Sequence, residues 1–309
     1  MDIDKTPKFD RRENSTISRI RFREKAIELF SPLCYNENVI FWSWEAIDLK
    51  KSKVFYYESE SCDFFTQNKP LPKIDENYKY KKGFFGRLYE FFLHRIVAPP
   101  IAFPYIKLFV REKYYGREKL KPYKKSAYFL YLNHTQPVAD AVSPNVMIFP
   151  KKLRIIVNKE NLALPGIGKA TKFLGAIPLP DNLRAAKNFS DAVADALKRK
   201  NAIAVYPEAH VWPYYTGIRD FGAEALEPAV KNMTPVFTAT RVYRATKKGR
   251  RPRQEIYIDG PFFPDDAVSK KEARLKLKSE IISAMRERAS LSDCEFIKYV
   301  NVQDGAIEE

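Results

Sequence analysis

From Ser126 to residue 290 or so, short apolar runs alternate with segments carrying an apolar stripe at helical spacing, and this alternation limits the fold more than any other feature of the chain. Strands are expected at 127–132, 153–157, 175–179, 202–206, 234–242 and 254–259, and helices at 138–148, 165–174, 182–199, 221–231 and 268–289. Within 182–199, Leu183, Ala186, Phe189, Val193 and Leu197 recur every three or four residues and share one helical face. Asp181 is placed to cap that helix. Ala202-Ile203-Ala204-Val205 is a continuous apolar run of the kind buried on both faces of a sheet. Together these predict an α/β domain, layered, with a mostly parallel central sheet flanked by helices. In such sheets ligands bind just beyond the carboxyl ends of strands.

Two polar turns fall at such ends. Asn133-His134-Thr135-Gln136-Pro137-Val138-Ala139-Asp140 follows the run Tyr128-Phe129-Leu130-Tyr131-Leu132 and sets an imidazole and a carboxylate a few residues apart. A carboxylate that fixes the imidazole tautomer and stabilises the imidazolium makes such a His a general base. Tyr206-Pro207-Glu208-Ala209-His210 follows the 202–205 run and brings Glu208 and His210 to the second end. His134, Asp140, Glu208 and His210 are suitable metal ligands, but nothing in their spacing selects a metal site and none is expected. There is no G-x-S-x-G elbow and no phosphate-binding P-loop. Gly166-Ile167-Gly168 lacks the third glycine of a dinucleotide fingerprint and reads as a tight turn entering a helix.

The net charge of +16 implies an anionic partner. Residues 78–125 carry 13 Lys or Arg against 3 acids, beside the aromatic and aliphatic stretch 83–110. Arg87, Glu90, His94, Arg95 and Lys107 interrupt that stretch too often for a bilayer span. It reads as two short amphipathic pieces joined at Pro99-Pro100. Basic residues would draw it to anionic headgroups while Phe and Leu enter the acyl boundary; the alternative is a helical hairpin packed on the core with a solvated basic face. No nucleic-acid motif is present and no such partner is expected. The expected organisation is an extension at 1–77, a basic membrane-associating segment at 78–125, the α/β domain at 126–290 and a tail at 291–309. The extension shows helical spacing at 18–30, candidate strands at 39–42 and 54–57 and a linker at 68–72. Cys34, Cys62 and Cys294 form neither a disulfide framework nor a zinc pattern, and the polar N-terminus is unlike a signal peptide, so the cytoplasmic face of a membrane is the expected location.

Four blocks in order resemble the glycerolipid acyltransferases of the 1-acylglycerol-3-phosphate type, over residues 84–262 or so. Asn133-His134 through Asp140 is similar to the family's N-H-x4-D, with one extra residue that a helix starting at Pro137 would absorb. Phe173-Leu174-Gly175-Ala176-Ile177-Pro178-Leu179 resembles the second block and Tyr206-Pro207-Glu208 the third, usually F-P-E-G-T. Met233-Thr234-Pro235-Val236 resembles the fourth, and Arg219-Asp220-Phe221-Gly222-Ala223 the link between the last two. Pro180-Asp181 stand where the family commonly has a phosphate-binding Arg, and Ala209-His210-Val211 replace Gly-Thr-Arg. The resemblance implies acyl transfer from a thioester to the hydroxyl of a lysophospholipid. His134 would act as base and Asp140 as its orienting partner, with Glu208 positioning the acceptor or bracing the loop that carries His134, His210 at the acceptor site, and Arg184, Arg219 or Lys169 as anion contacts. It implies no cofactor; acyl carrier protein or coenzyme A would carry the donor. The competing readings are a catalytically silent membrane binder of the same fold and a hydrolase using the same dyad.

Overall fold

The computed structural model describes residues 54–64, 70–164, 168–247 and 251–302. Strand β1 (Val54–Tyr57) precedes a run of helical backbone: α1 (Phe84–Phe92), a π turn (Leu93–Val97), α2 (Ala98–Pro104) and a second π turn (Tyr105–Val110). Next come β2 (Lys113–Tyr115), β3 (Tyr128–Leu132), α3 (Pro137–Ile148), β4 (Leu153–Val157), α4 (Gly168–Thr171), β5 (Ala176–Pro178) and α5 (Leu183–Lys198). The chain continues through β6 (Ala202–Val205), α6 (Glu227–Lys231), β7 (Val236–Arg244), β8 (Arg253–Phe262), α7 (Lys270–Ala289) and β9 (Lys298–Asn301). The expectations at 18–30 and 39–42, and the first two residues of the Gly166-Ile167-Gly168 turn, lie outside the described residues, as does the start of the 68–72 linker. The strand suggested at 54–57 is β1.

Among the described residues seven strands form one sheet in the order β2-β8-β7-β3-β6-β4-β5. Every neighbouring pair is parallel except β7 with β8. Central β3 is buried along its whole length, and its side chains alternate between two layers. Phe129 and Tyr131 join Val193 and Ala196 of α5 and Leu277, Ile281 and Met285 of α7. Tyr128, Leu130 and Leu132 face the other way, with Met147 and Ile148 of α3. This two-sided burial is why the strand reads as an unbroken apolar run. A separate parallel pair, β1 with β9, joins the segment before the sheet to residues 298–301, in the stretch read as a tail. Cys62 is disulfide-bonded, which corrects the expectation that the widely spaced cysteines form no disulfide.

Two local expectations are corrected. Asn182, not Asp181, caps α5 by accepting from the Ala185 N–H at 2.9 Å; Asp181 instead accepts from the Ile74 N–H at 2.8 Å and pairs with Lys159 at 2.9 Å. Pro99 and Pro100 do not divide the 83–110 stretch. The preceding π turn shifts the register, so that the Ala98 N–H reaches back to the Leu93 carbonyl, and the prolines fall in the first turn of α2. There a missing N–H costs no bond, and helical backbone continues. Gly175 is required for backbone reasons: at φ +103° a Cβ would stand 2.7 Å from the Leu153 carbonyl oxygen.

The helical run lies across the α3 side of the domain. Ile106 packs with Ala139 and Val146 of α3 near its carboxyl end. Near its amino end the buried Glu90 meets Lys82 at 2.9 Å, Lys152 at 2.7 Å and Arg154, the last two flanking the start of β4. The outer face carries Phe84, Phe85, Ile101, Leu108 and Phe109, each 67–81% exposed. No helix among the described residues is long and apolar enough to cross a membrane.

Burial alone would raise the Glu90 carboxyl, but Arg154, Lys152 and Lys82 outweigh it and hold the pKa at about 2, against an ordinary 4.5. A carboxyl depressed in this way contributes stability above its unfolded pKa and loses it as pH falls toward the folded value. In urea unfolding, the stability gap between wild type and Glu90→Gln is expected to be full above pH 4.5 and to close toward pH 2. A gap that stays constant over that window contradicts the ion-pair assignment.

Candidate active site

β3 and β6 are parallel neighbours in the register Tyr128↔Ala202 to Tyr131↔Val205, so their carboxyl ends lie side by side. That register sets the turn carrying His134 against the turn carrying Glu208. β7 pairs with β3 only as far as Leu132↔Ala239 and then runs on to Arg244. The overhang places Arg241 beside the turn after β3. Asn133 and Arg241 exchange hydrogen bonds there: the Arg241 N–H donates to Asn133 Oδ1 at 2.8 Å, and Asn133 Nδ2 donates to the Arg241 carbonyl at 3.1 Å.

α3 begins at Pro137, as the extra residue requires, and Asp140 lies in its first turn, 1% exposed. One carboxylate oxygen, Oδ2, meets His134 Nδ1 at 2.9 Å, the Thr135 N–H at 2.9 Å and the Gln136 N–H at 2.8 Å. The other, Oδ1, accepts from Arg241 Nη2 at 2.8 Å. A carboxylate ringed by donors has no proton to give, so Nδ1 must donate and the lone pair stands on Nε2. The His134 side chain keeps 19% of its surface exposed. Tyr206 packs on the imidazole with ring centroids 4.4 Å apart, and its hydroxyl donates to the Asp140 carbonyl at 2.6 Å.

Arg241 is buried, and its guanidinium also reaches Glu112, at the foot of the helical run, and Gln254 of β8. Burial opposes its charge, but Glu112 and Asp140 outweigh that and raise its pKa. Tyr243, two residues on and on the same side of β7, donates to Thr135 Oγ1 at 2.8 Å and accepts from Gln136 Nε2 at 3.1 Å. The next turn closes from the other side: Trp212 N–H donates to the His134 carbonyl at 3.0 Å and Tyr214 N–H to the Thr135 carbonyl at 3.1 Å. Trp212 is held in turn by Phe64 and Tyr57 and stacks on Tyr299 of β9 at 4.9 Å.

Of the residues singled out in the sequence, His134, Asp140, Glu208 and Arg219 come together. Glu208 Oε2 accepts from Arg219 Nη2 at 3.1 Å and from the His134 N–H at 3.4 Å. Its burial raises the carboxyl pKa against the opposing pull of Arg219. The Arg219 side chain is 1% exposed, lies over the Trp212 ring at 4.7 Å and donates to the Glu60 and His210 carbonyls. The His210 ring turns away to Asp63, with Nδ1 at 3.3 Å from Oδ2. Arg184 stands exposed in the first turn of α5 and joins none of these contacts. Among the described residues no three His, Cys, Asp or Glu are grouped to hold a metal ion. Arg241, Glu112 and Tyr243 were not singled out. A lone Arg inside the apolar strand Val236-Phe237-Thr238-Ala239-Thr240-Arg241-Val242-Tyr243 was the available signal, because a cation is buried there only when paired.

Residues 111–242 match the model of the Acyltransferase family. This match covers less than half of the chain and bears out the resemblance drawn from its four blocks. The structure is also similar to the crystal structure of the 1-acyl-sn-glycerophosphate (LPA) acyltransferase PlsC from Thermotoga maritima, at 19% identity and a TM-score of 0.46, over 66% of this chain and 94% of that one. Comparison with the curated proteins gives no match.

Asp140→Asn tests the donor ring. An amide there must turn its NH2 either toward Arg241 or toward the Thr135 and Gln136 N–H groups, so one face always opposes a donor. The variant is expected to lose about 3–5 kcal/mol of stability and to mix the His134 tautomers in ¹⁵N NMR. A single Nδ1–H tautomer retained in a variant of wild-type stability contradicts the arrangement.

Proposed function

We propose that this protein transfers a fatty acyl group from a thioester to the hydroxyl of a lysophospholipid such as 1-acylglycerol 3-phosphate, with His134 as general base. The observation that carries the reading is the 2.9 Å contact between His134 Nδ1 and a carboxylate whose remaining partners are all donors. It leaves Nε2 free to take a proton.

In the proposed step Nε2 removes the proton from the acceptor hydroxyl as its oxygen bonds to the thioester carbonyl carbon. The tetrahedral intermediate expels the thiolate, the C–S bond breaks, and the imidazolium returns the proton to the sulfur. Asp140 and Glu112 oppose the single charge of Arg241, so the cluster holds one negative charge that a proton on His134 neutralises. Glu208 braces the turn by accepting from the His134 N–H, and Arg219 fixes Glu208. Arg219 is thus committed inside the fold, which favours exposed cations over it as contacts for an acceptor phosphate. The donor carrier, acyl carrier protein or coenzyme A, is acidic and suits a basic chain.

The same reading sets the helical run at an anionic membrane surface. Its exposed Phe84, Phe85, Leu88, Phe91, Ile101, Leu108 and Phe109 form an apolar face on the most basic part of the chain, the pairing that seats a helix in the headgroup region. The catalytic reading is tested with purified protein, an acyl thioester and a lysophospholipid acceptor. Diacyl product is expected, reduced about 100- to 10,000-fold in His134→Ala. Free fatty acid without transfer would indicate a hydrolase, and liposome binding with no turnover would indicate a silent binder.

A further inference from the structure

The amino edge of the sheet, opposite the His134 turn, holds a pocket of about 570 Å³. Its floor comes from the residues that enter β4, β5 and β6, and α1 forms one wall. Asn201 precedes β6 and Glu208 follows it, so a full strand separates this pocket from the dyad, roughly 15–20 Å at strand rise.

The lining contains seven Lys or Arg against two acids. Glu90 is shared among Lys82, Lys152 and Arg154, which leaves that group two positive charges in excess. Asp195 is taken by Arg199 at 2.8 Å. Lys172 and Arg87 stand at the rim with no carboxylate partner among the described residues, Lys172 donating only to the Lys79 carbonyl. Burial and the neighbouring Arg154 lower the Lys82 pKa to about 8 even with Glu90 beside it. Crowded cations are therefore under strain that an added anion relieves. A second, independent observation points to a ligand. Asn201, 4% exposed, lines the pocket with its Nδ2 donor unpartnered, and a buried donor without a partner costs about 1–3 kcal/mol. Tyr78 and Tyr80 add an aromatic wall, ring centroids 4.8 Å apart.

We propose that this pocket binds a phosphate monoester dianion, separately from the acyl-transfer site, with Asn201 Nδ2 and the Lys82–Lys152–Arg154 group as its donors and Arg87 and Lys172 at its mouth. The phosphate belongs either to a soluble phosphate ester or to the headgroup of a lipid. Arg87 lies on α1 one residue from the exposed Leu88, so a headgroup drawn from a membrane at that face has a short path in.

The test uses the full chain, inorganic phosphate in calorimetry, and phosphatidylcholine vesicles containing phosphatidic acid or phosphatidylserine at equal charge. Wild type is expected to bind phosphate saturably. Arg87→Gln/Lys172→Gln, confined to the rim, should weaken binding about tenfold, and Asn201→Asp, isosteric but repelling, should abolish it. His134→Ala should bind as wild type does, which separates this site from the acyl-transfer reading. A preference for phosphatidic acid that both pocket variants lose assigns the ligand to a lipid. Saturable phosphate binding without that preference assigns it to a soluble ester. Absence of both in wild type, undiminished binding in the two pocket variants, or loss of phosphate binding in His134→Ala overturns the proposal.

Discussion

One buried guanidinium ties the candidate active site to the rest of the fold. Arg241 stands on the overhang of β7, bonded through its backbone to Asn133 and through its side chain to Asp140, Glu112 and Gln254. Those four partners come from the turn after β3, from α3, from the foot of the helical run and from β8. Removing one member of such a cluster leaves the others as uncompensated buried charge, which makes the arrangement all-or-none. Because Asp140 is fixed from both of its oxygens, the imidazole of His134 has one orientation in which Nδ1 is satisfied.

The helical run gives this geometry a direction. Its carboxyl end reaches Glu112 and so the dyad, and its amino end is pinned by Glu90 to the opposite edge of the sheet. The exposed apolar face lies between these two anchors. An acyl-transfer site and a basic pocket at the two ends of one amphipathic element would both lie close to a surface on which that element rests. This is the physical content of the proposed membrane association, and it ties the two proposals to one orientation.

Much of the fold was legible because the sheet is buried on both faces. β3 and β6 appear as unbroken apolar runs, β4 and β7 as largely apolar ones, and α5 shows itself through one apolar stripe at helical spacing, although its cap lies one residue beyond the position expected. The pairing of His134 with Asp140 was readable for the same reason, since both belong to one turn after one strand. What could not be read depends on contacts distant in sequence. Arg241 lies 101 residues from Asp140, and its importance follows from β7 being longer than its partner, which no local pattern states. The continuity of the helix through Pro99 and Pro100 needed a π turn before them, a feature without a sequence signature. β2 and β9, at three and four residues, are too short to show a period.

The most direct measurement of the central claim is a double-mutant cycle between Arg241→Met and Asp140→Ala, read as unfolding free energy. The interlocked cluster predicts coupling of about 1.5–3 kcal/mol, the double variant being much less impaired than the two single losses together. Losses that simply add to within about 0.5 kcal/mol would mean that the guanidinium does not hold the carboxylate, and the orientation assigned to His134 would then have no support.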